Sequence, residues 1–383
     1  MKIGTVNNGI YFTGAIIDSH IHYGHFPKKE NPQDLVMYGA NELDQFIKSP
    51  LTVTINGTKE QDNVEKAIVS NLDCMIRNGM KNEIEGNQAM LDFCAKNPNF
   101  YPLAACQPVQ TNGNAKHIAK LLKENPDKFV GLKFHPRLLD GRDADDFVYR
   151  AYLRLAQKQQ LPCVFHCDAE LDDAGKIKFR ASSPEAIYYA GREFPDVPIV
   201  MAHMGAGSAD SHKDAMKYLF RSIDNGDAKL YVDLSWVDWG KDGLSSTQKP
   251  SVITLIKELQ KRNATDRILF GTDAPLGCFG EKPEGGLSPK QAYEKTVSDL
   301  KTVIKENFGT QADDLINKIF YKNADDLFFK KEWLKPTDDM KKVPSASKLL
   351  GIAALTVAGI SAISYVCHKC FDNKSGKDTR FDK

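Results

Sequence analysis

Between residues 14 and 275 the chain repeats one pattern eight times: a short apolar run, often rich in β-branched residues, gives way to a longer amphipathic or charged segment. The runs are "GAIIDSHIH" (14–22), "KAIVSNLD" (66–73), "YPLAACQPV" (101–109), "FVGLKFHP" (129–136), "LPCVFHCD" (161–168), "VPIVMAHMG" (197–205), "KLYVDLSW" (229–236) and "RILFGTDAP" (267–275). Several stay apolar until their last residues, the signature of strands covered on both faces by helices. Helices are predicted over 84–96, 113–124, 145–159, 183–193, 209–222, 249–262, 288–307 and 311–329. Eightfold strand–helix alternation predicts an α/β fold, a closed (β/α)8 TIM barrel. The alternative, an open doubly wound sheet, would carry a phosphate-cradling glycine loop after its first strand, and the first run has none.

Two connections are long. Residues 25–63 hold a predicted helix (about 31–47) and then "LTVTINGTKEQ", where Asn56-Gly57 between alternating residues predicts a tight hairpin. We read this insertion as a flap over the barrel mouth, with "PLGCFGEKPEGGLSP" (275–289) as a second lid. The barrel unit then covers 1–335 and is followed by a polar linker at 336–348. Next comes an uncharged stretch of 18 residues, "LLGIAALTVAGISAISYV" (349–366), and a charged tail at 367–383. As a helix the apolar stretch is about 27 Å long, near the hydrocarbon thickness of a bilayer. It is expected to be a C-terminal hydrophobic helix that either anchors the protein in a membrane or docks against protein, including a second copy of the chain. Cys367 and Cys370 form a lone CxxC, too few ligands for a zinc site.

Lysine plus arginine (51) nearly equals aspartate plus glutamate (50), so no global field calls for nucleic acid. The eight cysteines are scattered, and the polar start "MKIGTVNNG" lacks the apolar core of a secretory signal. A cytoplasmic catalytic domain is expected, held at a membrane if 349–366 spans one.

The chemistry gathers at the ends of the apolar runs. His20 and His22 are two apart and so share a strand face, which at the C-terminal end of a barrel strand is the mouth. Lys133 and His135, His166, His203 and Asp273 occupy the ends of later runs. A divalent ion wants three or four nitrogen or oxygen ligands and one open position, and His20, His22, His166 and Asp273 would supply them. Asp273 is placed to take the proton of an attacking water, and His203 to polarise a carbonyl or steady an oxyanion. Lys133, His135, Arg137 and Trp236 are candidate substrate contacts. Asp18 and Asp168 are candidate braces for ligand imidazoles.

Together "DSHIH", "GLKFHP", "FHCD", "AHMG", "FGTDAP" and the closing "KNADDLF" resemble the amidohydrolase superfamily, in its amidohydrolase-related branch of metal-dependent hydrolases and decarboxylases, over roughly residues 14–329. The resemblance places His20, His22, His166 and Asp273 at metal-ligand positions and His203 at the sixth-strand histidine. It also raises a second-metal arrangement, in which Lys133 would be carboxylated and would draw His166 and His203 to a second ion. One ion, with Lys133 unmodified, is the expectation; zinc is preferred, and manganese or iron also suit such ligands.

The activity expected is hydrolysis of an amide, ester or lactone carbonyl in a small anionic substrate by metal-activated water. Non-oxidative decarboxylation or hydration of a small unsaturated or aromatic acid is the enzymatic alternative. An inactive membrane-tethered scaffold is the non-enzymatic one, disfavoured by the intact ligand set. A nuclease on the same barrel would place an acid where this chain has Lys133.

Overall fold

The computed structural model describes residues 11–27, 35–75, 83–108, 115–138, 142–168, 180–206, 209–235, 239–240, 243–244, 248–274 and 287–334. The strands are β1 (Tyr11–Pro27), β2 (Leu35–Tyr38), β3 (Leu51–Ile55), β4 (Thr58–Asn71), β5 (Phe100–Ala105), β6 (Gly131–Phe134), β7 (Cys163–Phe165), β8 (Pro198–Met201), β9 (Lys229–Asp233), β10 (Trp239–Gly240), β11 (Gly243–Leu244) and β12 (Ile268–Leu269). Each of the eight apolar runs contributes one barrel strand. In space they lie in the order β12, β9, β8, β7, β6, β5, β4, β1, with neighbours parallel. The seam between β1 and the segment after β12 is stitched by Ser19 N to Phe270 O (3.0 Å), Asp273 N to His20 O (2.8 Å) and His22 N to Ala274 O (2.7 Å). This is the expected parallel TIM barrel, with helices packed around it.

The strands are buried on both faces, as their composition requires: β6, β7 and β8 expose no residue, and Leu132, Cys163, Ile199 and Leu230 are all inaccessible. Helices occupy the predicted segments within a few residues, for example Phe147–Gln159, Ala209–Asn225 and Gln248–Lys261. Helix Pro289–Phe308 begins at a reciprocal cap in which Ser288 Oγ accepts from Gln291 N and Ser288 N donates to Gln291 Oε1. The last predicted helix, 311–329, starts as Ala312–Asn317 and continues as π-helical turns over Lys318–Lys322 and Asp325–Phe329.

The insertion at 25–63 differs from its expectation. Leu35–Tyr38 is a strand, antiparallel to Gly24–Pro27, and the helix is confined to Ala40–Ile47. The apolar, partly β-branched "LVMY" finds an edge to pair with, which outweighs its helical spacing. The hairpin does form at Asn56-Gly57, whose φ values of 49° and 81° are those of a two-residue primed turn. It does not cover the mouth. β3 pairs with Thr58–Asp62, opposite the N-terminal end of β1, and rests on helix Pro289–Phe308 through Thr52 N to Glu294 Oε1 (2.8 Å) and Thr54 N to Ser298 Oγ (2.9 Å). The β1–β2 pairing, at Gly24–Pro27, extends the opposite, mouth end of β1.

The chain divides into a unit of Met1–Glu332 and another of Trp333–Lys383. The linker at 336–348, the hydrophobic run at 349–366, the tail and most of the 275–289 lid lie outside the described residues. Among the described residues no helix is long and apolar enough to cross a membrane.

Candidate metal centre

β1 carries two imidazoles to the mouth, and the turn after β12 brings a carboxylate to meet them. His20 Nε2 lies 3.2 Å from His22 Nε2. Asp273 Oδ1 is 3.3 Å from the first nitrogen and 2.9 Å from the second. All three residues are buried. Asp273 Oδ1 makes no hydrogen bond among the described residues, although it is shielded from water. A buried carboxylate oxygen aimed between two ring nitrogens wants a cation. The three spacings approach the edge of a tetrahedron with bonds of roughly 2.0–2.1 Å, about 3.3–3.4 Å. The donor set therefore fits a divalent ion.

Backbone geometry holds this arrangement. Asp273 has φ of 59°, and His203, at the start of the "HMGA" turn after β8, has φ of 61°. Left-handed non-glycine residues cost about 1–3 kcal/mol each, so surrounding bonds must impose them. Asp273 N is tied to His20 O, and His203 N donates to Asp233 Oδ1 at 2.8 Å. Gly271 lets the two segments approach, since a Cβ there would stand 2.9 Å from His20 Cβ.

The imidazole of His20 is braced by a residue that sequence reasoning missed. Asp233, ending β9, accepts from His20 Nδ1 at 2.9 Å through Oδ2, whereas the hydrogen bonds of Asp18 among the described residues go to no imidazole ring. Asp18 instead accepts from Thr272 Oγ1 (2.6 Å), Thr272 N (3.1 Å), Tyr293 OH (3.0 Å) and its neighbour His20 N (3.1 Å), anchoring the segment that carries Asp273. Burial pushes the Asp18 carboxyl up to about 7 against the pull of those donors. For Asp233 and Asp273 burial also acts upward, but the surrounding imidazoles outweigh it and hold both well below the usual carboxylate range. His22 is brought down to about 4 by burial, with Asp273 opposing. Its Nδ1 meets Ser70 Oγ at 2.9 Å, a second missed contact.

Lys133 is 1% exposed and its Nζ is 2.7 Å from His20 Nε2. Burial lowers the ammonium to about 8, resisted by Asp273 and Asp233. His135, on the same strand face, stacks on His166 with ring centroids 3.8 Å apart. His166 stands apart from these three converging side chains. Its Nδ1 faces His203 Nε2 at 3.1 Å, and the convergent His/Asp groups among the described residues are His20, His22 and Asp273, and His20, His203 and Asp233. In the second group His20 and Asp233 already bond to each other, which makes it a brace. Asp168 lies 3.5 Å from His166 Nε2 and pairs with the exposed Arg137; burial acts upward on its carboxyl, but His166 and Arg137 hold it at about 2. Trp236 lies outside the described residues.

A parallel barrel whose strand tips gather imidazoles and a carboxylate around one point defines an enzyme of the metal-assisted hydrolase and decarboxylase class. The chain belongs to the amidohydrolase family: that family's model matches residues 17–330. No curated protein matches the chain. Among solved structures, a candidate 2-pyrone-4,6-dicarboxylic acid hydrolase of Pseudomonas putida is 14% identical, with a TM-score of 0.53 over 84% of this chain and 98% of that one. The 2,6-dihydroxybenzoate decarboxylase of Rhizobium is 16% identical, with a TM-score of 0.50 over 84% and 99%. A zinc-bound amidohydrolase of Burkholderia multivorans is 12% identical, with a TM-score of 0.53 over 82% and 99%. At these identities the likeness is one of fold.

Proposed function

We propose that the protein hydrolyses an amide, ester or lactone carbonyl of a small anionic substrate, with one divalent ion held by His20, His22 and Asp273. The observation that carries this reading is the approach of His20 Nε2, His22 Nε2 and Asp273 Oδ1 to within 3.3 Å of one another beside a buried lysine. The ion, zinc by preference, supplies Lewis acidity and lowers the pKa of water toward about 7–9. Asp233 keeps the hydrogen of His20 on Nδ1, which leaves Nε2 as the ligand atom. Asp273, kept ionised by its imidazole neighbours, takes the proton of the attacking water and passes it to the departing amine or alkoxide.

The lone pair of His20 Nε2 serves either the Lys133 ammonium or the ion. With that lone pair given to an ion, Lys133 Nζ would be free to pair with a substrate carboxylate or a developing oxyanion. Arg137, exposed and paired with Asp168, adds a second cation near the rim.

The same buried cation favours a second reading, decarboxylation, because it can steady the negative charge left when CO2 departs; the Rhizobium neighbour is a decarboxylase. Full-length protein loaded with zinc or manganese, offered small anionic lactones, amides and aromatic acids, separates the two. Appearance of a new carboxylic acid supports hydrolysis, CO2 release supports the second reading, and metal-loaded protein that does neither overturns both.

A further inference from the structure

Ser235, two residues beyond Asp233, touches both histidine systems. Its Oγ lies 2.9 Å from His203 Nδ1 and 3.1 Å from His20 Nδ1, and it donates to Asp233 Oδ1. The direction of each bond follows by elimination. Asp233 Oδ1 already accepts two backbone hydrogens, from His203 N (2.8 Å) and Ser235 N (3.1 Å), which leaves that oxygen no room for a hydrogen of its own. The close contact between Oδ1 and Ser235 Oγ therefore contains the hydroxyl hydrogen. A serine has one hydrogen to give, so toward both imidazoles Oγ can only accept.

We infer that Ser235 is a positioning residue that fixes His203 in the tautomer with hydrogen on Nδ1, so that His203 presents the Nε2 lone pair to the mouth. The inference deepens the hydrolase reading by changing what His203 offers: an acceptor for a substrate hydroxyl or N–H, rather than a donor to a carbonyl. His166 occupies that acceptor in the present structure, with Nδ1 at 3.1 Å from His203 Nε2, and must carry hydrogen on the facing nitrogen. The hydrogens then run one way, from His166 to His203, to Ser235, to Asp233. His20 meets the same carboxylate from the other side, at Oδ2. All the groups in this chain are buried or half-buried, so bulk water does not scramble their order.

The test needs no substrate. Full-length protein labelled with ring-15N histidine, with and without added zinc, is examined at neutral pH by long-range 1H–15N correlation, and His203 is assigned by its loss in His203→Gln. The expected pattern is a protonated Nδ1 and an unprotonated Nε2 for His203. It should persist in Ser235→Thr, which keeps the hydroxyl, and give way to a mixture or to the opposite tautomer in Ser235→Ala. Hydrogen on Nε2 in the wild-type protein overturns the inference, as does an unchanged pattern in a folded Ser235→Ala. Should the alanine variant not fold, the wild-type spectrum decides. A protein with this tautomer but no turnover would sink the hydrolase reading alone, and an active protein with the other tautomer would sink only this inference.

Discussion

Asp233 Oδ2 and His20 Nδ1 meet at 2.9 Å across 213 positions of sequence, both fully shielded from water. A carboxylate behind a ligand imidazole fixes the ring and raises the basicity of its far nitrogen, and loss of such a partner commonly costs 10–100-fold in metal affinity. Asp233→Asn should weaken zinc binding by about that factor, measured by competition with a chromophoric chelator. An unchanged affinity would remove Asp233 from the centre.

Because an ion held by three converging side chains binds only the folded protein, it should stabilise the fold by mass action. Free zinc at 100 times its dissociation constant adds about 2.7 kcal/mol. A thermal melt of chelator-treated protein should therefore rise by several degrees when zinc is restored, and the rise should vanish in His22→Ala.

Lys133→Met replaces a buried ammonium by an apolar side chain of similar length. The loss of a preorganised cation at a developing charge typically costs about 10²–10³ in kcat. The variant should stay folded and zinc-loaded, by circular dichroism and metal analysis, while kcat/KM for an anionic substrate falls by that order. A drop in zinc content instead would mean that the lysine belongs to the ligand set.

His212, on helix Ala209–Asn225, is fully buried, and neither ring nitrogen makes a hydrogen bond among the described residues. Burial depresses it from 6.5 to about 4. Between those values the unfolded chain binds a proton that the folded chain refuses, so this contribution is whole above pH ~6.5 and is lost as the pH falls toward ~4. Urea unfolding at pH 7 and pH 5 should show the wild type losing about 2 kcal/mol more than His212→Leu. Equal losses would contradict it.

The barrel was legible because its strands are covered on both faces, a condition that leaves an unmistakable apolar run at each of eight places. His20 and His22 were legible as a pair for a local reason, the alternation of a strand, and Asp273 through the "FGTDAP" motif that carries the family resemblance. Asp233 and Ser235 were not. Their roles depend on β9 lying between β8 and β12, and "VDLS" reads locally as one more strand end. The same limit explains His166: its run ends at the mouth, but whether its ring turns toward His22 or His203 is decided by packing against His135. The hairpin at Asn56-Gly57 was predicted from turn chemistry, which specifies the bend and says nothing about which end of the barrel receives it.

The seam bonds from His20 to Asp273 and from His22 to Ala274 join the first strand of the barrel to its last. A ribosome must therefore release some 250 residues between making the two imidazoles and making their carboxylate, and a growing chain that ends before Asp273 has only two of the three proposed ligands. Closing the cylinder is what brings the three side chains together, so a metal bound to all of them would also clasp the last strand of the barrel to the first.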